Sequence, residues 1–170
     1  MVRVSMKYLE QLCEIDEKHS LKLAPRLKLK PLNPSHYKKN ALFYHAVASA
    51  LRLLVEQGKM DEEALTTAWF VDQVFMWFSL MTSRMTTMAL SDLCPEKEKE
   101  AVTFLTDFME VFRILGIIDK RKTNAAWKPV QDGIIIMTTT ALNLRELYMQ
   151  SKTEVSDVEP PVSSRTREPI

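Results

Sequence analysis

The stretch Thr67 to Arg84, TAWFVDQVFMWFSLMTSR, sets the tightest limit on what this chain can fold into. At helical spacing Ala68, Val71, Phe75 and Phe78 share one stripe, while Trp69, Phe70, Val74, Trp77 and Met81 cover much of the remainder. A helix that is apolar nearly all round belongs in a core or a membrane. Asp72, Gln73 and Ser79 interrupt it before any run reaches the roughly 18 apolar residues of a membrane span. The expectation is a buried core helix with the other segments built around it. Three glycines, ten methionines and long periodic segments favour helices over a sheet-rich fold. The predicted class is all-α: a single compact domain of about five helices over residues 1–150, a proline-rich extended connector, and a disordered tail over 151–170.

At 170 residues the chain is long enough for one core of its own, domains commonly running to about 100 to 150 residues. Lys plus Arg at 23 against Asp plus Glu at 22 gives a formal charge of +1, so the whole chain offers no electrostatic case for nucleic acid or an anionic membrane. Cys13 and Cys94 match neither a disulfide framework nor a paired metal-ligand pattern. The charges scattered through MVRVSMKYLEQLCEIDEK break the continuous apolar region of a secretory signal. An intracellular protein is expected, in cytosol or nucleus.

Residues 5–18 place Met6, Leu9, Leu12, Cys13 and Ile15 on one side of a first amphipathic helix. Pro25, Pro31 and Pro34 then forbid a continuous helix and predict an extended connector. Lys22, Arg26, Lys28, Lys30, Lys38 and Lys39 make the basic concentration of the chain, either a solvated linker or a phosphate contact. Ser35 is placed to cap a second helix through Gln57, with Gly58 as its left-handed C′ residue. His45 lies on its apolar side, and with no second histidine at the i+4 spacing it reads as a hydrogen-bonded core residue. Asp61, followed by Glu62 and Glu63, is placed to start the third helix. A fourth is predicted from Pro95 to Leu115, with Val102, Leu105, Phe108, Met109, Phe112 and Leu115 facing the core. Gly133 to Met137 reads as a short extended piece, after which one of Thr138 to Thr140 caps a last helix.

Glycines at 58, 116 and 133 cannot form a phosphate loop, which needs glycines five apart followed by Lys and Ser or Thr. Nucleophile-elbow, H-E-x-x-H and dinucleotide signatures are likewise missing from the sequence.

Four blocks occur in a telling order: LKLAPRLKLKPLNP, LFYHAVASALRLL, TAWFVDQVFMWFSLMTSR and WKPVQDGIIIMTTTALNLRELY. Over about residues 4–149 the chain resembles the GTP-binding insertion domain of P-element-type transposases, the family of the animal THAP-domain transposases. Leu23, Pro25, Arg26, Leu27, Leu32 and Pro34 fit its L-x-P-K-L-T-x-x-H-I-x-P segment, and Leu42, Phe43, His45, Val47, Ala48, Ala50 and Leu51 fit its second helix. Thr67, Ala68, Phe70, Val71, Phe78, Ser83 and Arg84 follow the third block, and Trp127, Pro129, Gln131, Gly133 and Ile134 its W-x-P-x-Q-x-G segment. The departures are polar. Lys28 and Pro31 replace a threonine and a histidine, Tyr44 a serine, Phe75 and Thr82 two asparagines, and Ser79 an aspartate.

The resemblance implies an all-α insertion domain that does not itself cut or join DNA, because the family's catalytic carboxylates and zinc-coordinating DNA-binding module lie outside it. It implies a truncated or domesticated transposase fragment, nuclear, with weak residual binding of GTP with Mg²⁺ and a weak or indirect link to DNA. Lys38, Lys39 and Asn40, with Ser79 and Thr82 on the facing helix, are the expected GTP-binding residues; catalytic and metal-ligating residues are not expected. The alternative is a helical protein-interaction module, partner or repressor of a full-length transposase, whose pocket is filled by side chains.

Overall fold

Serine at position 5 starts the first helix by offering its Oγ to the Lys7 amide at 3.3 Å, satisfying one of the orphan donors of a helix N-terminus. In the computed structural model this helix, α1 (Met6–Lys18), is followed by α2 (His45–Glu56), α3 (Ala64–Met81), α4 (Pro95–Ile114), a two-residue strand β1 (Ile117–Ile118), its antiparallel partner β2 (Asn124–Ala125), and α5 (Lys128–Ser156). The structure describes residues 3–25, 27, 43–83, 90, 94–115, 117–118, 124–125 and 128–156. The all-α class and the five helices match the sequence expectation. Contacts group the chain into two units, Met1–Arg84 and Met85–Ile170. Among the described residues no helix is long and apolar enough to cross a membrane.

In the first unit Tyr8, Leu9 and Leu12 of α1, Val47, Ala48, Leu51 and Leu54 of α2, and Ala64, Ala68 and Val71 of α3 share one core. Small residues at 48, 64 and 68 let α2 and α3 approach closely. The chain leaving α1 is fixed by a buried carboxylate: Asp16 accepts the Leu23 amide at 2.9 Å and the Ala24 amide at 2.8 Å. Those bonds seat Ala24 and Leu27 in the core, which gives the Leu23–Pro25–Leu27 block a structural role. Gly58 has φ 67°; its amide meets the Val55 carbonyl and the Lys59 amide the Leu54 carbonyl, both at 2.9 Å, a Schellman closure of α2 as the sequence predicts.

Three expectations for this unit need correction. The second helix is not continuous from Ser35: residues 35–42 lie outside the described residues, and Tyr44 is extended, with φ −131° and ψ 140°. Packing explains the break, since the Phe43 ring meets Phe70 and the Tyr44 ring meets Phe75, both edge to face. Asp61 does not cap α3, which begins at Ala64 without a side-chain cap; Asp61 to Glu63 form the preceding turn, with Glu63 drawn to the Tyr8 hydroxyl at 3.0 Å. Nor is α3 buried all round. Ala64, Thr67, Ala68, Val71, Val74 and Trp77 face inward, whereas Leu65, Trp69 and Met76 form an exposed stripe on the opposite side.

In the second unit Pro95 occupies the first turn of α4, as predicted, with Glu96 and Glu98 beside it. Leu105, Phe108, Met109 and Phe112 are buried along one face. The sequence expectation fails for α5: Gly133 to Met137 are helical rather than extended, and Thr138 to Thr140 lie mid-helix and cap nothing. The run Ile134–Ile135–Ile136 carries strand propensity, but the inward positions recur at 131, 134, 138, 141 and 145, and burial at helical spacing overrides that weak local preference. Thr138 is fully buried and gives its hydroxyl to the Ile134 carbonyl at 2.7 Å. Gln131 donates to the carbonyls of Phe112 at 2.9 Å and Leu115 at 2.6 Å, satisfying the C-terminal end of α4. Helix α5 runs to Ser156, past position 151 where the sequence predicts the tail to start; residues 157–170 lie outside the described residues.

Candidate functional site

The residues expected to meet GTP divide into two groups. Lys38, Lys39 and Asn40 lie outside the described residues. Ser79 and Thr82 sit at the C-terminal end of α3, where the Ser79 hydroxyl donates to the Phe75 carbonyl at 2.9 Å and the Thr82 hydroxyl to the Phe78 carbonyl at 2.6 Å. Both are i to i−4 bonds within the helix. Each side chain therefore spends its one donor on its own backbone, leaving only oxygen lone pairs to offer a ligand.

Two other departures from the family pattern touch each other. Tyr44 precedes α2 and Phe75 lies on α3, and their rings meet edge to face with centroids 5.6 Å apart. His45 lies against the same Phe75 ring at 6.3 Å. Where the resemblance calls for a serine and an asparagine, the chain places two aromatic rings in contact.

The densest polar chemistry among the described residues lies on the neighbouring face of α2 and α3. Asp72 holds His45 Nδ1 through one oxygen at 3.0 Å and Arg52 Nη2 through the other, and Ser49 Oγ lies 3.5 Å from His45 Nε2. The sequence reading of His45 is right about its hydrogen bond and wrong about its surroundings, because the imidazole side chain is 66% exposed. Ser49 and Asp72 escape a reading of the sequence: they lie on different helices, and only the packing of α2 on α3 joins them.

The order hydroxyl, imidazole, carboxylate is that of a nucleophilic relay, but the surroundings are not. Ser49 lies inside a regular helix, whose amides are consumed by i to i−4 bonds and cannot form an oxyanion hole. Arg52 already neutralises the carboxylate, and both Ser49 and His45 face solvent. The arrangement links α2 to α3 as a surface ion-pair network. Among the described residues no group of three or more His, Cys, Asp or Glu is placed to share a metal ion.

What α3 presents outward is apolar. Trp69 is 43% exposed, against 3% for Trp77 on the inner face, and Leu65 and Met76 lie one turn before it and two turns after it. Comparison with known proteins adds no relative: no family model, curated protein or solved structure matches the chain.

Proposed function

We propose that this chain is a non-catalytic helical interaction module, descended from the GTP-binding insertion domain of P-element-type transposases, in which the nucleotide pocket has been filled. The contact between Tyr44 and Phe75 carries the reading. An edge-to-face pair contributes about 0.5–1.5 kcal/mol beyond its area burial, so reopening the space for a guanine or a phosphate is uphill. The Ser79 and Thr82 hydroxyls, both committed to α3 carbonyls, support it as well.

The partner on this reading is a full-length transposase, which places the chain in the nucleus, and the surface offered is the α3 stripe of Leu65, Trp69 and Met76. Exposed tryptophan beside aliphatic side chains is the composition of an interface anchor. Isothermal titration with GTP and Mg²⁺ tests the loss of the pocket. The expected result is no saturable heat at millimolar nucleotide and no nucleotide-dependent rise in melting temperature; saturable binding overturns the reading in favour of a residual GTP domain. Co-expression with a full-length transposase tests the partner, with Trp69→Ala expected to reduce co-purification while leaving the helix content unchanged.

A further inference from the structure

We propose that α5 associates with α5 of a second copy, antiparallel, through the outward stripe Val130, Gly133, Met137, Thr140, Leu144 and Leu147. This goes beyond the transposase reading and rests on a different helix.

The stripe is a property of the fold. In the second unit α4 covers the inward positions of α5, and Arg145 is tied there by its bond to Glu98 at 2.7 Å. The flank adjoining them stays open: Val130, Met137, Leu144 and Leu147 are 47–61% exposed, and Ile136 beside them is more so. Their spacing of 7, 7 and 3 residues is that of the first and fourth positions of a heptad, with Gly133 and Thr140 completing the series. A 3.5-residue repeat on an exposed helix face is the requirement for pairing with another helix at a shallow angle.

Three observations select a second copy, in this orientation, as the occupant. The stripe and its immediate flanks at 134, 136, 141, 143 and 148 carry no charged side chain, so two copies meet without repulsion and without leaving a buried charge unpaired. The sizes are self-complementary when the helices run in opposite directions. Val130 then faces Leu147 of the other copy, Gly133 faces Leu144, and Met137 faces Thr140, each layer setting a larger side chain against a smaller one. A parallel pair instead stacks Gly133 on Gly133 and Leu144 on Leu144, alternating voids with crowding. Finally, two helices alone make a thin core, whereas α4 and α5 joined to their symmetry mates form a four-helix arrangement about one two-fold axis. From Val130 to Leu147 the seam is about 26 Å long. That length corresponds to a modest interface, about 600 Å² per partner, at the low end of specific interfaces.

Sedimentation equilibrium of the full chain across the micromolar range decides the matter. The expected result is a reversible monomer–dimer equilibrium, with Leu144→Glu weakening association by about tenfold or more while circular dichroism shows unchanged helix content. Met137→Lys is expected to weaken the dimer as well. Adding Thr140→Glu to the same chain restores it, because each introduced ammonium then meets an introduced carboxylate of the other copy. A monomer at every concentration overturns the proposal, and so does a dimer indifferent to Leu144→Glu. A wild-type dimer that the double variant fails to restore overturns the antiparallel pairing. None of these readouts depends on nucleotide or on a transposase, so they are distinct from the tests of the module reading.

Discussion

The two units of the chain solve the same problem with different means. In Met1–Arg84 three helices converge, so α2 finds neighbours on two sides and Ala48 and Leu51 are fully buried. In Met85–Ile170 two helices share one seam, which buries a face of each and leaves most of the large apolar side chains of α5 exposed. The first unit fixes its turns with buried polar groups that are completely satisfied, as at Asp16. The second uses long side chains reaching across the seam, as with Gln131 at the end of α4 and Arg145 on Glu98. A third helix allows a domain to close its core, whereas a helix pair is left with a surface that invites another chain.

The largest expected effect tests that contrast directly. Leu51→Ala in α2 removes a fully buried side chain and is expected to cost about 3–5 kcal/mol. Leu144→Ala in α5, the same substitution at an exposed position, is expected to change the stability of the dilute chain by less than about 0.5 kcal/mol. Urea denaturation of both variants at low protein concentration makes the comparison, and equal losses break it.

Next in size is Asp16→Ala. It strands the half-buried Leu23 amide and the buried Ala24 amide, and a buried donor left without a partner costs about 1–3 kcal/mol. Hydrogen exchange should show faster exchange at both amides and weaker protection in α1. The counterpart in the second unit is Glu98→Ala. Its carboxylate is nearly buried but Arg145 is 30% exposed and can turn to water, so the expected loss is that of one charge-assisted hydrogen bond, about 2 kcal/mol. If Glu98→Ala costs more than Asp16→Ala, the second unit depends on its cross-seam bonds more heavily than the geometry indicates.

Tyr8 gives the first unit a pH signature. Removal from solvent raises the phenol above its ordinary value of 10.0, reinforced by its hydrogen bond to Glu63 and the negative charges of Glu63 and Asp61. The folded state holds the proton more tightly than the unfolded chain. The contribution is therefore complete below the ordinary value of 10.0 and lost as pH rises through the raised folded value. Alkaline denaturation should show this decline in the native protein and lose it in Tyr8→Phe.

These contrasts also explain what the sequence revealed and what it withheld. Pro95, the face of Leu105, Phe108, Met109 and Phe112, and the left-handed Gly58 were legible because each rests on a local rule: a missing amide, a 3.6-residue period, a positive φ. Asp16 was not, since its partners become apparent only when the chain folds back after α1. The exposure of Trp69 escaped for a related reason: periodicity tells which residues share a face, but α3 is apolar on both faces, and only its neighbours determine which is covered. Among the candidate site residues, Ser79 and Thr82 lie at one end of α3, while their commitment to α3 carbonyls is a matter of rotamer that composition does not encode. The cluster of His45, Ser49, Arg52 and Asp72 required the register of α2 against α3.

The smallest expected effect bears on the most misleading stretch of the sequence. Gly133 followed by three isoleucines imitates the start of a strand, yet it lies in the first turns of α5, and a Cβ built there meets no atom within 4 Å. Alanine suits a helix interior better than glycine because it surrenders less backbone freedom on folding, a difference of about 0.5–1 kcal/mol. Gly133→Ala should therefore stabilise the second unit by that amount, seen as a higher urea midpoint, with the first unit unaffected. A methyl group also fits opposite Leu144 of a second copy, whereas Gly133→Leu overfills that layer and should weaken association without destabilising the isolated chain. If Gly133→Ala destabilises instead, residues 133–137 do not hold the helix in solution, and the heptad stripe of α5 loses Gly133 and Met137.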